Sequence, residues 1–180
     1  SIMDLSVIVP TRNRPDKLKM ALDAIGQQTH PSLEIVVVDD GSDSGNAREN
    51  ERLAAALDRQ ATYRHVPGHN PRGSGPAYAR NVGINAANGD LIAFCDDDDY
   101  WCDTRHVEKA VQAFSADVQL DLLFANQAAH SDGRMTRNVW LPRLEETLGL
   151  SRDSPQSPIP VSAKDCLIDH FGHMNTCVFR

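Results

Sequence analysis

Asp96, Asp97, Asp98 and Asp99 stand in an unbroken row directly behind the apolar run Leu91-Ile92-Ala93-Phe94-Cys95. Four carboxylates this close repel one another and raise one another's pKa unless a cation sits among them, and an all-oxygen donor set suits Mg²⁺ or Mn²⁺. An Asp-rich turn is also a common solvated entrance to a helix, because carboxylates favour the positive end of the helix dipole. The spacing predicts such a helix: Val107, Ala110, Val111 and Phe114 fall at i, i+3, i+4 and i+7, with Asp103 or Thr104 placed to cap it. From this segment alone both readings stand.

Two further polar clusters follow apolar runs in the same way. Leu5-Ser6-Val7-Ile8-Val9 reads as a buried strand leading into a loop, Pro10-Thr11-Arg12-Asn13-Arg14-Pro15. Ile35-Val36-Val37-Val38 is a β-branched run of the kind covered on both faces in a parallel sheet, and it ends in Asp39-Asp40-Gly41-Ser42. Between these strands the spacing predicts helices, one after Pro15 carrying Leu18, Ala21, Leu22 and Ile25, and one over about residues 47–59. A short strand over 62–66 follows, then a Gly- and Pro-rich loop over 67–76, then a helix with Ala79, Val82, Gly83 and Ala86 on one side. Another strand is predicted over 120–124.

Alternating strands and helices predict an α/β layered sheet with largely parallel strands. Ligands of such sheets bind beyond the carboxyl ends of the strands, which is where all three polar clusters lie. Past residue 126 the pattern thins to an edge strand over 135–141, a loop over 141–160, a short helix over 163–170 and a final strand over 174–179.

The chain has 180 residues, 41% of them hydrophobic, enough for one sizeable core. A formal net charge of -7 argues against a general nucleic-acid binder. No apolar stretch reaches the length of a membrane span and the strand pattern starts within a few residues of the first, so the expected location is cytoplasmic, without a signal peptide. Cys95, Cys102, Cys166 and Cys177 are widely spread and lack a C-x-x-C pair, which predicts buried or incidental thiols.

Taken together, the stretches resemble the family 2 glycosyltransferases of GT-A fold. The resemblance rests on Ser6 to Arg14, on Gln28-Thr29 followed by Leu33 to Ser42, on Gly75-Pro76-Ala77-Tyr78-Ala79-Arg80-Asn81-Val82-Gly83, and on Phe94 to Trp101, in order over about residues 4–110. It implies a three-layer α/β sandwich with a mostly parallel central sheet, binding a nucleotide-diphosphate sugar, UDP-linked by preference, with Mg²⁺ or Mn²⁺.

Carried onto this chain, the resemblance makes Asp98 the direct metal ligand and Asp97 a contact to ribose or metal, with Asp96 completing the motif. It makes Asp40 the acceptor for a uracil ring with Asp39 beside it, places Pro10, Thr11 and Arg12 around the base, and turns Arg80 toward the donor phosphates or sugar. It also implies an inverting hexosyl transfer to a saccharide or lipid-linked acceptor in polysaccharide biosynthesis, and allows peripheral membrane association. The whole of 1–180 is read as one GT-A domain, truncated at its C-terminus, with a nucleotide part over 1–110 and an acceptor part over 111–180. The catalytic base is unknown and expected past Arg180. Two alternatives accompany this reading: an incomplete or non-catalytic sugar-nucleotide-binding domain, and a sugar nucleotidyltransferase.

Overall fold

The computed structural model describes residues 2–67, 71–125, 127–131, 133–136 and 173–180. The elements are β1 (Leu5–Thr11), α1 (Pro15–Gly26), β2 (Leu33–Asp39), α2 (Ser44–Ala55), β3 (Ala61–His65), α3 (Pro76–Ala86), β4 (Leu91–Phe94), α4 (His106–Ala116), β5 (Leu122–Phe124), β6 (Ala129–Ser131), β7 (Arg134–Thr136) and β8 (Cys177–Phe179). They fall into two compact units, Ser1–Leu123 with Val178–Arg180, and Phe124–Cys177. In the second unit β6 and β7 pair as an antiparallel hairpin. Of the edge strand expected over 135–141, Met135 and Thr136 lie within β7; residues 137–141, and the loop and helix expected over 141–170, lie outside the described residues.

One sheet carries the fold, in the order β3-β2-β1-β4-β8-β5. β1, β2, β3 and β4 run parallel, and β8 returns antiparallel beside β4. Because side chains alternate across a strand, Val7, Val9, Ile35 and Val37 pack with α1, α2 and α4 on one face, while Ile8, Val36 and Val38 pack with α3 on the other. Both faces are therefore covered, which explains the near-continuous apolar run of β2.

β1 runs two residues into the expected loop, taking in Pro10 and Thr11. Ile8 O accepts from Cys95 N on the β4 side and Thr11 O from Asp40 N on the β2 side. The same alternation points the missing N–H of Pro10 toward the β4 side, past the last pair, Ile8 with Phe94. A proline there interrupts no ladder bond.

Helix α4 starts differently from its expected form. Its N-cap is Arg105, which makes no side-chain cap bond, and Asp103 accepts from Arg105 N instead. The capping group comes from elsewhere: buried Gln28 accepts from Val107 N and donates to Asp103 O, and Thr29 N donates to Thr104 O. The Gln-Thr pair thus fastens the end of α1 to the segment behind the Asp row.

Candidate functional site

The parallel register brings the three polar clusters to one lip of the sheet. Thr11 pairs with Asp39 at the ends of β1 and β2, and the Asp row begins two residues after Phe94 closes β4. Thr11 reaches the row directly, its hydroxyl donating to Asp97 Oδ2 at 2.8 Å.

Asp97 is the buried member of the row, its side chain wholly shielded. Arg14 Nη2 lies 2.6 Å from Asp97 Oδ1. Burial pushes the carboxyl above its ordinary value, while the Thr11 hydroxyl and the Arg14 charge pull the other way. Asp97, expected to touch ribose or metal, has its side chain turned inward and ties the row to β1.

Asp96, Asp98 and Asp99 point outward, each offering a carboxylate oxygen within 4.8 Å of the others. Asp99 N closes the turn on Asp96 O at 3.0 Å, which holds the three together. An oxygen-only cluster of this size fits Mg²⁺ or Mn²⁺, so this donor set suits the divalent ion that the sequence implied. Arg80 Nη2 lies 2.8 Å from Asp96 Oδ1, and Arg14 Nη1 3.4 Å from Asp98 Oδ2. Beneath the turn, burial and then the adjacent carboxylates push the Cys95 thiol far above its ordinary value, leaving it an inert core group.

Asp39 and Asp40 part company. Asp39 is fully buried and accepts from Ser42 N, Asn50 Nδ2 and the Tyr63 hydroxyl, each at 2.8 Å. Asp39, expected to contact the nucleotide beside Asp40, lies behind the loop it braces. Asp40 turns to the glycine loop, with Ser74 N donating to Oδ1 and Gly75 N to Oδ2, both at 2.8 Å. Those amides open α3, whose cap Gly75 stands at φ +94° with Pro76 behind it, so Asp40 neutralises the positive end of the helix that carries Arg80.

Arg12 Nη2 donates to Pro71 O in the same loop. His65 sits 3.9 Å from Asp39, while His69 lies outside the described residues. Trp101 packs against the core and meets His106 edge-on at 5.0 Å.

The structure thus joins Pro10, Thr11, Arg12, Asp40, Arg80 and the Asp row along one lip, with Asp39 behind it. Arg14 was missed by the sequence reading. Its signal was a cation directly before the Pro15 start of a helix, an end of the dipole that disfavours positive charge unless a carboxylate answers it.

A mostly parallel sheet covered by helices on both faces, with acidic and basic groups gathered at the carboxyl ends of its strands, is an α/β architecture of the GT-A type. The model of the family described as "Glycosyl transferase family 2" matches residues 6–163, and the chain belongs to that family. It is 29% identical over 143 residues to the uncharacterized glycosyltransferase YibD of Escherichia coli, covering 79% of this chain and 40% of YibD. The mannosyltransferase PcManGT of Pyrobaculum calidifontis, solved with GDP-Man and Mn²⁺, superposes with a TM-score of 0.59 at 29% identity, covering 68% of this chain and 35% of that one. Residues 1–349 of S. aureus TarS, solved with UDP, give a TM-score of 0.62 at 26% identity, covering 78% and 40%. The chain therefore spans about two fifths or less of these proteins.

Proposed function

We propose that this chain is the donor-handling part of a metal-dependent glycosyltransferase that takes a nucleotide-diphosphate sugar, with UDP-sugars as the preferred class. The observation that carries the reading is the convergence of Asp40, Arg80 and the Asp96, Asp98 and Asp99 cluster on one sheet edge. Asp98, with Asp96 and Asp99, would hold Mg²⁺ or Mn²⁺. When bound, the ion supplies Lewis-acid neutralisation of the diphosphate leaving group.

The chain's own residues do the rest of the binding. Pro10, Thr11 and Arg12 border the place for the base. Asp40 holds Ser74 and Gly75 at the end of the glycine loop and offers its remaining lone pairs to a ring N–H. Arg80 brings a guanidinium suited to diphosphate oxygens. Thr11 and Arg14 hold Asp97, and through it the whole row, in place. Residues 1–110 take the donor and 111–180 the acceptor side within one GT-A domain. The transfer is an inverting attack of an acceptor hydroxyl on the anomeric carbon, in which the new glycosidic bond forms as the bond to the diphosphate oxygen breaks, the nucleoside diphosphate leaves, and the hydroxyl proton passes to a general base other than these residues.

Thermal unfolding with UDP, with and without Mn²⁺, tests the reading. UDP at 100 times its dissociation constant stabilises by about 2.7 kcal/mol. The Mn²⁺-dependent part of that shift is expected to vanish in Asp98→Asn, and its full retention overturns the ligand assignment. GDP producing an equal shift overturns the preference for uridine. Release of sugar from the donor, with or without an acceptor, distinguishes a transferase from a binding domain.

A further inference from the structure

Arg14 occupies a position where the helix dipole opposes it. It is the N-cap of α1, with Pro15 at the first helical position and no side-chain cap bond. Its backbone has little freedom, because Asn13 before it adopts φ +53°, donates from its N–H to Ser42 Oγ at 2.8 Å and accepts from Asp43 N at 2.8 Å. A pinned backbone with a cation at the wrong end of a helix calls for an anionic partner close by.

The guanidinium finds two partners of unequal quality. Toward Asp97 it makes a 2.6 Å ion pair with a carboxylate whose side chain has 0% exposure. Breaking that pair would leave a buried charge uncompensated. Toward Asp98 it makes a 3.4 Å contact with a side chain 47% exposed, an ion pair that contributes little. Asp98 is also one of the three carboxylates of the outward cluster. One fork of the arginine is therefore anchored, and the other lies on an oxygen-bearing group suited to a metal.

We propose that Arg14 is the resident counter-ion of the Asp row: it stays on Asp97 and releases Asp98 to a divalent cation, so that it sets the affinity of the loop for that ion. This rests on the metal reading above. Arg14 is a positioning residue that lowers metal affinity through competition and charge repulsion, while its ion pair with Asp97 keeps the row folded. A purely structural arginine would have the opposite effect on metal binding, since its loss would loosen the row.

The test is a titration of Mn²⁺ alone, followed by the electron paramagnetic resonance signal of the free ion, on the unmodified chain, Arg14→Gln and Arg14→Lys. Arg14→Gln is expected to bind Mn²⁺ about threefold more tightly, in line with the loss of one exposed ion pair and one nearby positive charge, and to unfold at lower temperature. Arg14→Lys keeps a cation for Asp97 without the second fork, and is expected to tighten binding by less while retaining its unfolding temperature; it decides the matter if the Gln variant fails to fold. Mn²⁺ binding by the unmodified chain with unchanged or weaker binding by the folded variants overturns the role of Arg14 and leaves the metal site standing. No Mn²⁺ binding by the unmodified chain overturns both.

Discussion

Gly73 shows how tightly single atoms are constrained around Asp40. Its φ is +78°, and a Cβ there would lie 2.5 Å from Asp40 Oδ2 and 2.9 Å from the Asp40 carbonyl oxygen. Gly75 also has a positive φ, +94° with ψ 160°, but has open space around it. Both Gly→Ala changes carry a conformational cost of about 1 to 3 kcal/mol, and only Gly73→Ala adds a collision with backbone that cannot move aside. In urea titrations Gly73→Ala is expected to lose more stability than Gly75→Ala and to weaken UDP binding as well, because it breaks the seat of Asp40. Equal losses would mean that the contact has no weight. At this scale the sequence was partly readable. The residue types at the lip were evident from their places after apolar runs. Adjacent identical residues were not separable, since nothing in Asp39-Asp40 or Asp96-Asp97-Asp98-Asp99 tells which carboxylate turns inward. Burial decides that, and burial is a property of the packed molecule.

Helix α3 must come close to the sheet to present Arg80, and Gly83 is what permits it. A Cβ on Gly83 would stand 2.3 Å from Ile8 Cγ2, on a β-branched side chain that is itself fully buried. Alanine would gain about 1 kcal/mol of helix propensity, yet overpacking costs about 1 to 3 kcal/mol, so Gly83→Ala is expected to destabilise on balance. In an Ile8→Ala background the space opens and the same change should become stabilising, a reversal of sign readable in a double-mutant cycle by urea denaturation. If Gly83→Ala is equally destabilising in both backgrounds, the close approach is not the reason for the glycine. Helix existence was legible from 3.6-residue spacing, while helix ends were less so. α2 was expected over 47–59 and spans Ser44–Ala55, because Asp43 accepts from Asn46 N at its start, while Arg59 leaves the helical path to donate to the carbonyls of Gly26, Gln28 and His30. The Asp43 cap is local and readable from the sequence, whereas the Arg59 contacts are supplied across the fold, and a local pattern cannot reveal them.

The sheet separates two polar systems at its opposite ends, each with its own hydrogen-bond partners. The order of the strands was beyond sequence spacing, since β8 reaches its place beside β4 from the far end of the chain. Opposite the lip, Glu34 at the start of β2 is buried, accepting from the Ser6 hydroxyl at 2.5 Å, Asn88 N at 2.9 Å and Asn88 Nδ2 at 2.8 Å. It borders an open hollow of about 670 Å³ that also includes Asp4, Asp23, Asp58 and Arg59 and none of the lip residues. Burial raises its pKa, but these hydrogen bonds outweigh it and hold the carboxyl below its ordinary value of 4.5. A group depressed in the folded state contributes stability above its unfolded pKa, and that contribution is lost as pH falls through the folded value. Glu34→Gln is therefore expected to destabilise at pH 7 by about 1 to 3 kcal/mol, and to flatten the loss of stability below about pH 4.5. UDP affinity at pH 7, measured well below the unfolding temperature, should be unchanged, because the lip does not share these bonds. An unaltered acid limb in urea titrations across that pH range would remove Glu34 as a source of acid sensitivity, and a lowered UDP affinity would show that the two ends of the sheet are coupled.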